Sequence, residues 1–173
     1  MTDTMQASPI RSGFDPQRAL DFARSELFDR TFKEGMAMVE ETAGYLDGPG
    51  RAASKRLSRA AALAYAGESM RLTTRLMQVA SWLLVQRAVR DGEIQMAEAA
   101  SEKYRLIARD AAPVANFAGS DELPEALKAL IIRGGAIYER VRRLDESMYE
   151  SGATDAGNAV SDQQAKLQAA FNR

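Results

Sequence analysis

The chain has 173 residues, 46% of them hydrophobic and 27% charged, and its 23 basic and 24 acidic side chains leave a net charge of −1. That length suits one domain with a real core, and the near-neutral balance supplies no general pull toward nucleic acid or anionic lipid. Cys and His are both absent, which excludes disulfides, cysteine nucleophiles, the usual zinc sites and histidine proton transfer, so no metal or cofactor is expected.

The opening residues MTDTMQASPIRSGFDP lack the apolar core of a signal peptide. The longest apolar run, around Val79–Val85, is broken by Ser81 and is far too short to cross a bilayer. A soluble, cytoplasmic protein is therefore expected. Residues 1–14 are polar, with Pro9 and Gly13, and read as a flexible N-terminal arm. Residues 15–150 read as one helical bundle domain, and residues 151–173 as a flexible tail.

Asp15 reads as an N-cap, with Pro16 in the first turn where its missing N–H is not needed. The first helix is expected from Pro16 to Leu46, with Phe28, Phe32, Gly35, Val39, Ala43 and Leu46 on its apolar stripe. Asp47, Gly48, Pro49 and Gly50 terminate it. Ser54 is the expected cap of a second helix reaching Arg90, whose early alanines, Ala60, Ala61, Ala62, Ala64 and Ala66, permit close approach of a neighbouring helix. A shorter helical piece is expected within Ile94–Ala108 and a loop over Asp110–Asp121. The third long helix runs from about Pro124 to Glu150. Its apolar positions, Leu123, Leu127, Leu130, Gly134, Ile137, Val141, Leu144 and Met148, alternate steps of four and three. Gly134 and Gly135 within it are read as a tight helix crossing rather than a binding notch. From Ser151 the composition is too polar and Gly-rich to fold alone. The expected fold is all-α, an elongated up-down-up three-helix bundle with a short extra helix and flexible termini.

The second helix carries the most information. Tyr65, Leu72, Leu76, Val79 and Leu83 form its core stripe, widened by Met77, Ala80 and Leu84, while Glu68, Arg71, Thr74, Arg75, Gln78 and Gln86 form the polar arc. Trp82, Val85 and Val89 fall among those polar groups, so this helix is apolar on nearly every side in its second half and needs more cover than one core supplies. Glu68, Arg71, Arg75, Gln78, Trp82, Val85 and Val89 are the candidate protein-interface residues. Arg and Trp beside aliphatics match the composition of interface hot spots. The alternatives are an intrahelical ion pair for the charged members and intrachain burial for Trp82. If the strip is an interface, self-association is its simplest form.

Catalytic candidates are absent. The adjacent carboxylates Glu40 and Glu41, and Asp145 and Glu146, point to different sides of their helices. Gly48, Pro49 and Gly50 lack the Lys and Ser or Thr of a phosphate loop. Arg140, Arg142 and Arg143 read as a solvated face rather than a phosphate site.

The runs FKEGMAMVEETAGYLDG, RLTTRLMQVASWLLVQRAV and IYERVRRLDESMY, with Lys103, Tyr104, Arg105 and Leu106 between them, resemble the alphaproteobacterial family of the regulator of CtrA degradation, RcdA. The resemblance spans Leu27–Tyr149. It implies a non-enzymatic adaptor, a self-associating helical bundle that serves regulated proteolysis by the ClpXP protease during the cell cycle. Its implied partners are a protease primed by a response-regulator-like adaptor, cargo proteins and a cyclic-di-GMP-binding adaptor, with the cell pole as the place of recruitment. A purely structural dimer or scaffold is the alternative.

Overall fold

The computed structural model describes residues 16–106 and 118–149. The expected arm, the tail and most of the expected loop lie outside the described residues. Six helices appear among the described residues: α1 (Pro16–Ala23), α2 (Glu26–Asp47), α3 (Pro49–Ser54), α4 (Arg59–Arg90), α5 (Met96–Ala99) and α6 (Glu125–Tyr149). Two single 3-10 turns, Glu102–Tyr104 and Ser120–Glu122, complete the described elements. The all-α bundle expected from the sequence is the fold observed.

The expected first helix is two. Ser25 leaves the helical conformation, its Oγ accepts from the Phe28 N–H at 3.2 Å and donates to the Phe22 carbonyl at 2.7 Å. A serine cap satisfies one of the donors orphaned at a helix start, which makes the break inexpensive. The break lets Phe22 fold back, with its ring 5.8 Å from that of Phe28 and 6.0 Å from that of Trp82. The buried face of α2 is Phe28, Thr31, Gly35, Met38 and Thr42, and Ala43 is exposed. The stripe is rotated from the one expected because Thr31 can be buried, its Oγ1 donating to the Leu27 carbonyl at 2.8 Å.

Pro49 does more than stop α2, since it occupies the first turn of α3. Ser58, not Ser54, caps α4, accepting from the Ala61 N–H at 3.2 Å. Of the early alanines of α4, Ala61 admits a turn, while Ala64 joins the main core between the helices. Gly119, at φ +86°, comes so close that a Cβ there would stand 2.6 Å from the Ala61 backbone nitrogen.

The direction of the last long helix also differs from the up-down-up order. Trp82 bonds Asp145 and Gln86 bonds Tyr149, each pair 63 residues apart, so α4 and α6 run parallel in constant register. α2 is antiparallel to both. Glu41 and Glu34 pair with Arg133 and Arg140, rising along one helix as they fall along the other, and Asp29 pairs with Arg90. Up-down-up would start the third helix beside the end of the second, but Ala99 packs at Val85 and Val89 while Gly119 packs against Ala61, so α6 begins beside the start of α4.

The main core is built from Phe28, Met38, Leu72, Leu76, Val79, Trp82, Leu83, Leu127, Leu130, Ile137, Val141 and Met148. Two glycines allow the helices to cross closely. A Cβ on Gly35 would stand 2.6 Å from Leu83 Cδ1, and one on Gly134 would collide with Leu72 Cδ1. Gly134 thus serves the tight crossing expected of it, whereas Gly135 has nothing within 4 Å.

Candidate protein-interaction surface

Trp82 is 1% exposed and belongs to the core, so it is not a surface anchor. Its Nε1–H donates to Asp145 Oδ1 at 2.8 Å. Asp145 also accepts from Arg105 Nε, at 3.0 Å to Oδ1 and 2.9 Å to Oδ2, and the Arg105 guanidinium lies 4.8 Å from the centre of the Tyr149 ring. Burial pushes the Asp145 carboxyl above its ordinary range, opposed by the Arg105 charge and by the Trp82 and Arg105 hydrogen bonds. Sequence reasoning set Asp145 aside as one of two adjacent carboxylates that point to different sides of their helix. The usable signal was the 63-residue register with Trp82, which no periodicity along one helix reveals.

Val85 and Val89 are also covered by their own chain. With Ala99 they form a second small core, closed by Leu20, Ile94, Met96 and Tyr104 from α1 and the segment around α5. Gln86, expected on the solvent face, is fully buried and donates to the Tyr149 hydroxyl at 3.0 Å. Burial raises the Tyr149 hydroxyl's pKa, opposed by the Gln86 hydrogen bond. The surplus apolar surface of α4 on this side is thus covered by α1, α5 and the residues following it.

The polar members of the candidate strip sit half-buried on α4. Arg71 pairs with Glu68 one turn away at 3.0 Å, and the Arg75 guanidinium lies 5.5 Å from the centre of the Tyr138 ring on α6. Gln78 lines a cleft of about 510 Å³ between α4 and Glu102–Leu106, together with Thr74, Met77 and Ser81.

The outer face of α4 borders this cleft and shares Thr74, Met77 and Ser81 with it. Met77 and Leu84, expected to widen the core stripe, are exposed by 65% and 52%, and Leu63 and Met70 by 66% and 72%. These four residues recur every seventh position. From Ala60 to Leu84 every exposed residue of α4 is uncharged: Ala60, Leu63, Ala66, Met70, Thr73, Thr74, Met77, Ser81 and Leu84. In a chain with 27% charged residues, seven turns of outer helix without a charge form the kind of patch that marks interaction sites. The face is also symmetric about a point between Thr73 and Thr74, which pairs Leu63 with Leu84, Ala66 with Ser81 and Met70 with Met77. A surface with that pattern matches itself under a two-fold rotation.

Among the described residues no group of three metal-type ligands converges, and no helix is long and apolar enough to cross a membrane. The buried carboxyl of Asp145 is engaged by Trp82 and Arg105.

Fold and surface together define an all-helical bundle that presents a long uncharged strip and no assembled catalytic group among its described residues. The chain belongs to the DUF1465 family, the family of RcdA. The family model, described as a protein of unknown function, matches residues 19–171. The crystal structure of RcdA from Caulobacter crescentus CB15 is 61% identical, covers 75% of this chain and 97% of its own, and superposes with a TM-score of 0.63. No curated protein matches. The resemblance read from residues 27–149 is thereby borne out.

Proposed function

We propose that this chain is a non-enzymatic adaptor that binds protein partners and helps deliver cargo, cell-cycle regulators among them, to the ClpXP protease. The observation that carries this reading is the uncharged outer face of α4, set in a chain of the RcdA family. Leu63, Met70, Met77 and Leu84 supply the apolar anchors, and their seven-residue spacing suits the seam of a partner helix. The two-fold pattern favours a homodimer in which the two copies of α4 lie antiparallel, with Thr73 and Thr74 at the centre. An adaptor of this kind acts without chemistry by raising the local concentration of cargo at the protease. Its place of action is the cytoplasm, with recruitment to the cell pole, and its partners are protease-associated adaptors and cargo rather than nucleic acid or membrane.

A structural dimer with no role in proteolysis is the second reading, favoured by the self-complementarity of the same face. Reconstituted degradation separates the two. With protease, primed adaptors and a candidate cargo present, adding this chain is expected to raise the rate of cargo loss several-fold. Equal rates with and without it for every cargo tried would remove the adaptor reading and leave the dimer.

A further inference from the structure

A second surface lies at the end of the bundle where α2 passes through α3 into α4. A notch of about 330 Å³ opens there between α2 and α6, walled by Tyr45 and Leu130 and ended by Pro49. It exists because both helices present small residues, Gly44 on one and Ala126 and Ala129 on the other. A Cβ on Gly44 would meet nothing within 4 Å. On one side the notch is bounded by the Glu41–Arg133 pair, two parallel hydrogen bonds of 2.7 and 2.8 Å.

Just beyond Pro49 the charge balance changes. Arg51, Lys55, Arg56 and Arg59 are all exposed, make no ion pair with a described residue, and have no acidic residue among Arg51–Arg59. Along the bundle many cations are neutralised, as in Arg90 with Asp29, Arg140 with Glu34 and Arg142 with Glu139, and the exposed Arg24, Arg30, Lys33 and Arg143 are interspersed in sequence with carboxylates. An apolar recess beside uncompensated cations fits an apolar side chain accompanied by carboxylates.

We propose that this end of the bundle docks an acidic segment of a partner protein, seating one apolar side chain among Gly44, Tyr45, Ala129 and Leu130 and setting its carboxylates on Arg51, Lys55 and Arg56. The site is separate from the α4 face and does not depend on that reading. A nucleic acid fits less well. The chain's net charge is −1, and Asp47, Asp121 and Glu122 are exposed around the same end. A continuous phosphate chain carries no apolar side chain for the notch, whereas a short acidic segment can set its few carboxylates on the cations and clear of Asp47, Asp121 and Glu122.

The test uses the full chain and a fluorescein-labelled dodecapeptide with a single Leu between Glu pairs, read by anisotropy. Saturable binding is expected, with none to the same peptide carrying Lys in place of Glu. Ala129→Phe, which fills the notch from an exposed position, and the charge reversal Arg51→Glu with Lys55→Glu should each weaken binding at least tenfold. Ala126→Phe repeats the test should Ala129→Phe disturb the fold by circular dichroism. Arg143→Glu, an exposed charge reversal about three turns of α6 beyond Arg133, should leave binding unchanged. Absence of saturable binding, equal binding of the Lys peptide, indifference to both notch-filling and charge reversal, or tighter binding of a single-stranded oligonucleotide would each overturn the proposal.

Discussion

Trp82 and Asp145 stand on two helices that run in the same direction, joined by a 2.8 Å hydrogen bond between groups that are 1% and 2% exposed. The indole is held by both packing and a charged acceptor, so two substitutions separate the contributions. Trp82→Phe keeps most of the volume and loses the hydrogen bond, a cost of about 1.5–3 kcal/mol. Trp82→Ala adds a cavity, for about 3–5 kcal/mol in all. Urea unfolding followed by far-ultraviolet circular dichroism measures both. Equal, small losses would mean that the indole is not the bundle's anchor.

The raised Asp145 carboxyl makes stability depend on pH with a definite sign. Between its ordinary value of 3.8 and its raised value, the folded chain holds a proton that the unfolded chain has released. Stability from this group is therefore present at low pH and lost as pH rises through the window. Asp145→Asn removes the titration, and the carboxyls elsewhere cancel in the comparison. As pH falls from about 7 to about 4, the melting temperature of the wild type should gain on that of the variant. A difference that stays constant, or moves the other way, would show that Arg105 rather than burial governs the carboxyl.

Gly134 and Gly135 should respond in opposite directions to the same change. Gly134→Ala drives a methyl group into Leu72 and is expected to destabilise α4–α6 packing. Gly135→Ala meets open space and removes a flexible residue from a helix interior, stabilising by about 0.5–1 kcal/mol. Thermal melts of the two variants suffice. Two shifts of one sign would contradict the crossing described here.

Self-association through α4 is expected to fail when charge enters its outer face. Met70→Glu and Met77→Glu occupy exposed positions, so folding should be unaffected while sedimentation shifts to the monomer. Thr73→Cys lies beside the predicted two-fold and should form a cross-chain disulfide under mild oxidation. Dimers that persist in both glutamate variants would move the contact to another face.

The parts of this fold legible in the sequence are those governed by one helix at a time. The seam of α6 proved correct because Leu127, Leu130, Ile137, Val141 and Met148 repeat with the helical period and are all buried. What escaped was set between elements. Ser25 breaks α1 from α2 so that Phe22 can reach Trp82, a reason 57 positions distant that no local pattern contains. Gln86 looked solvated and Asp145 carried no assigned role because polarity alone does not reveal a buried partner, and Tyr149, Arg105 and Trp82 are those partners. Of the candidate interface residues, the apolar members proved to be intrachain cover. Met77 and Leu84, two members of the uncharged outer face, were misread as core because they carry the hydrophobicity that core positions share.

The parallel register of α4 and α6 has a consequence for how the molecule assembles. α2 and α4 are joined through α3 and can zip together as a local antiparallel pair. Each contact between α4 and α6 must instead close a chain segment of about 63 residues before any binding energy returns. Topology of that kind slows folding more than it lowers stability. Docking α6 is therefore the step that closes the longest loops, and the Trp82–Asp145 bond belongs to that step.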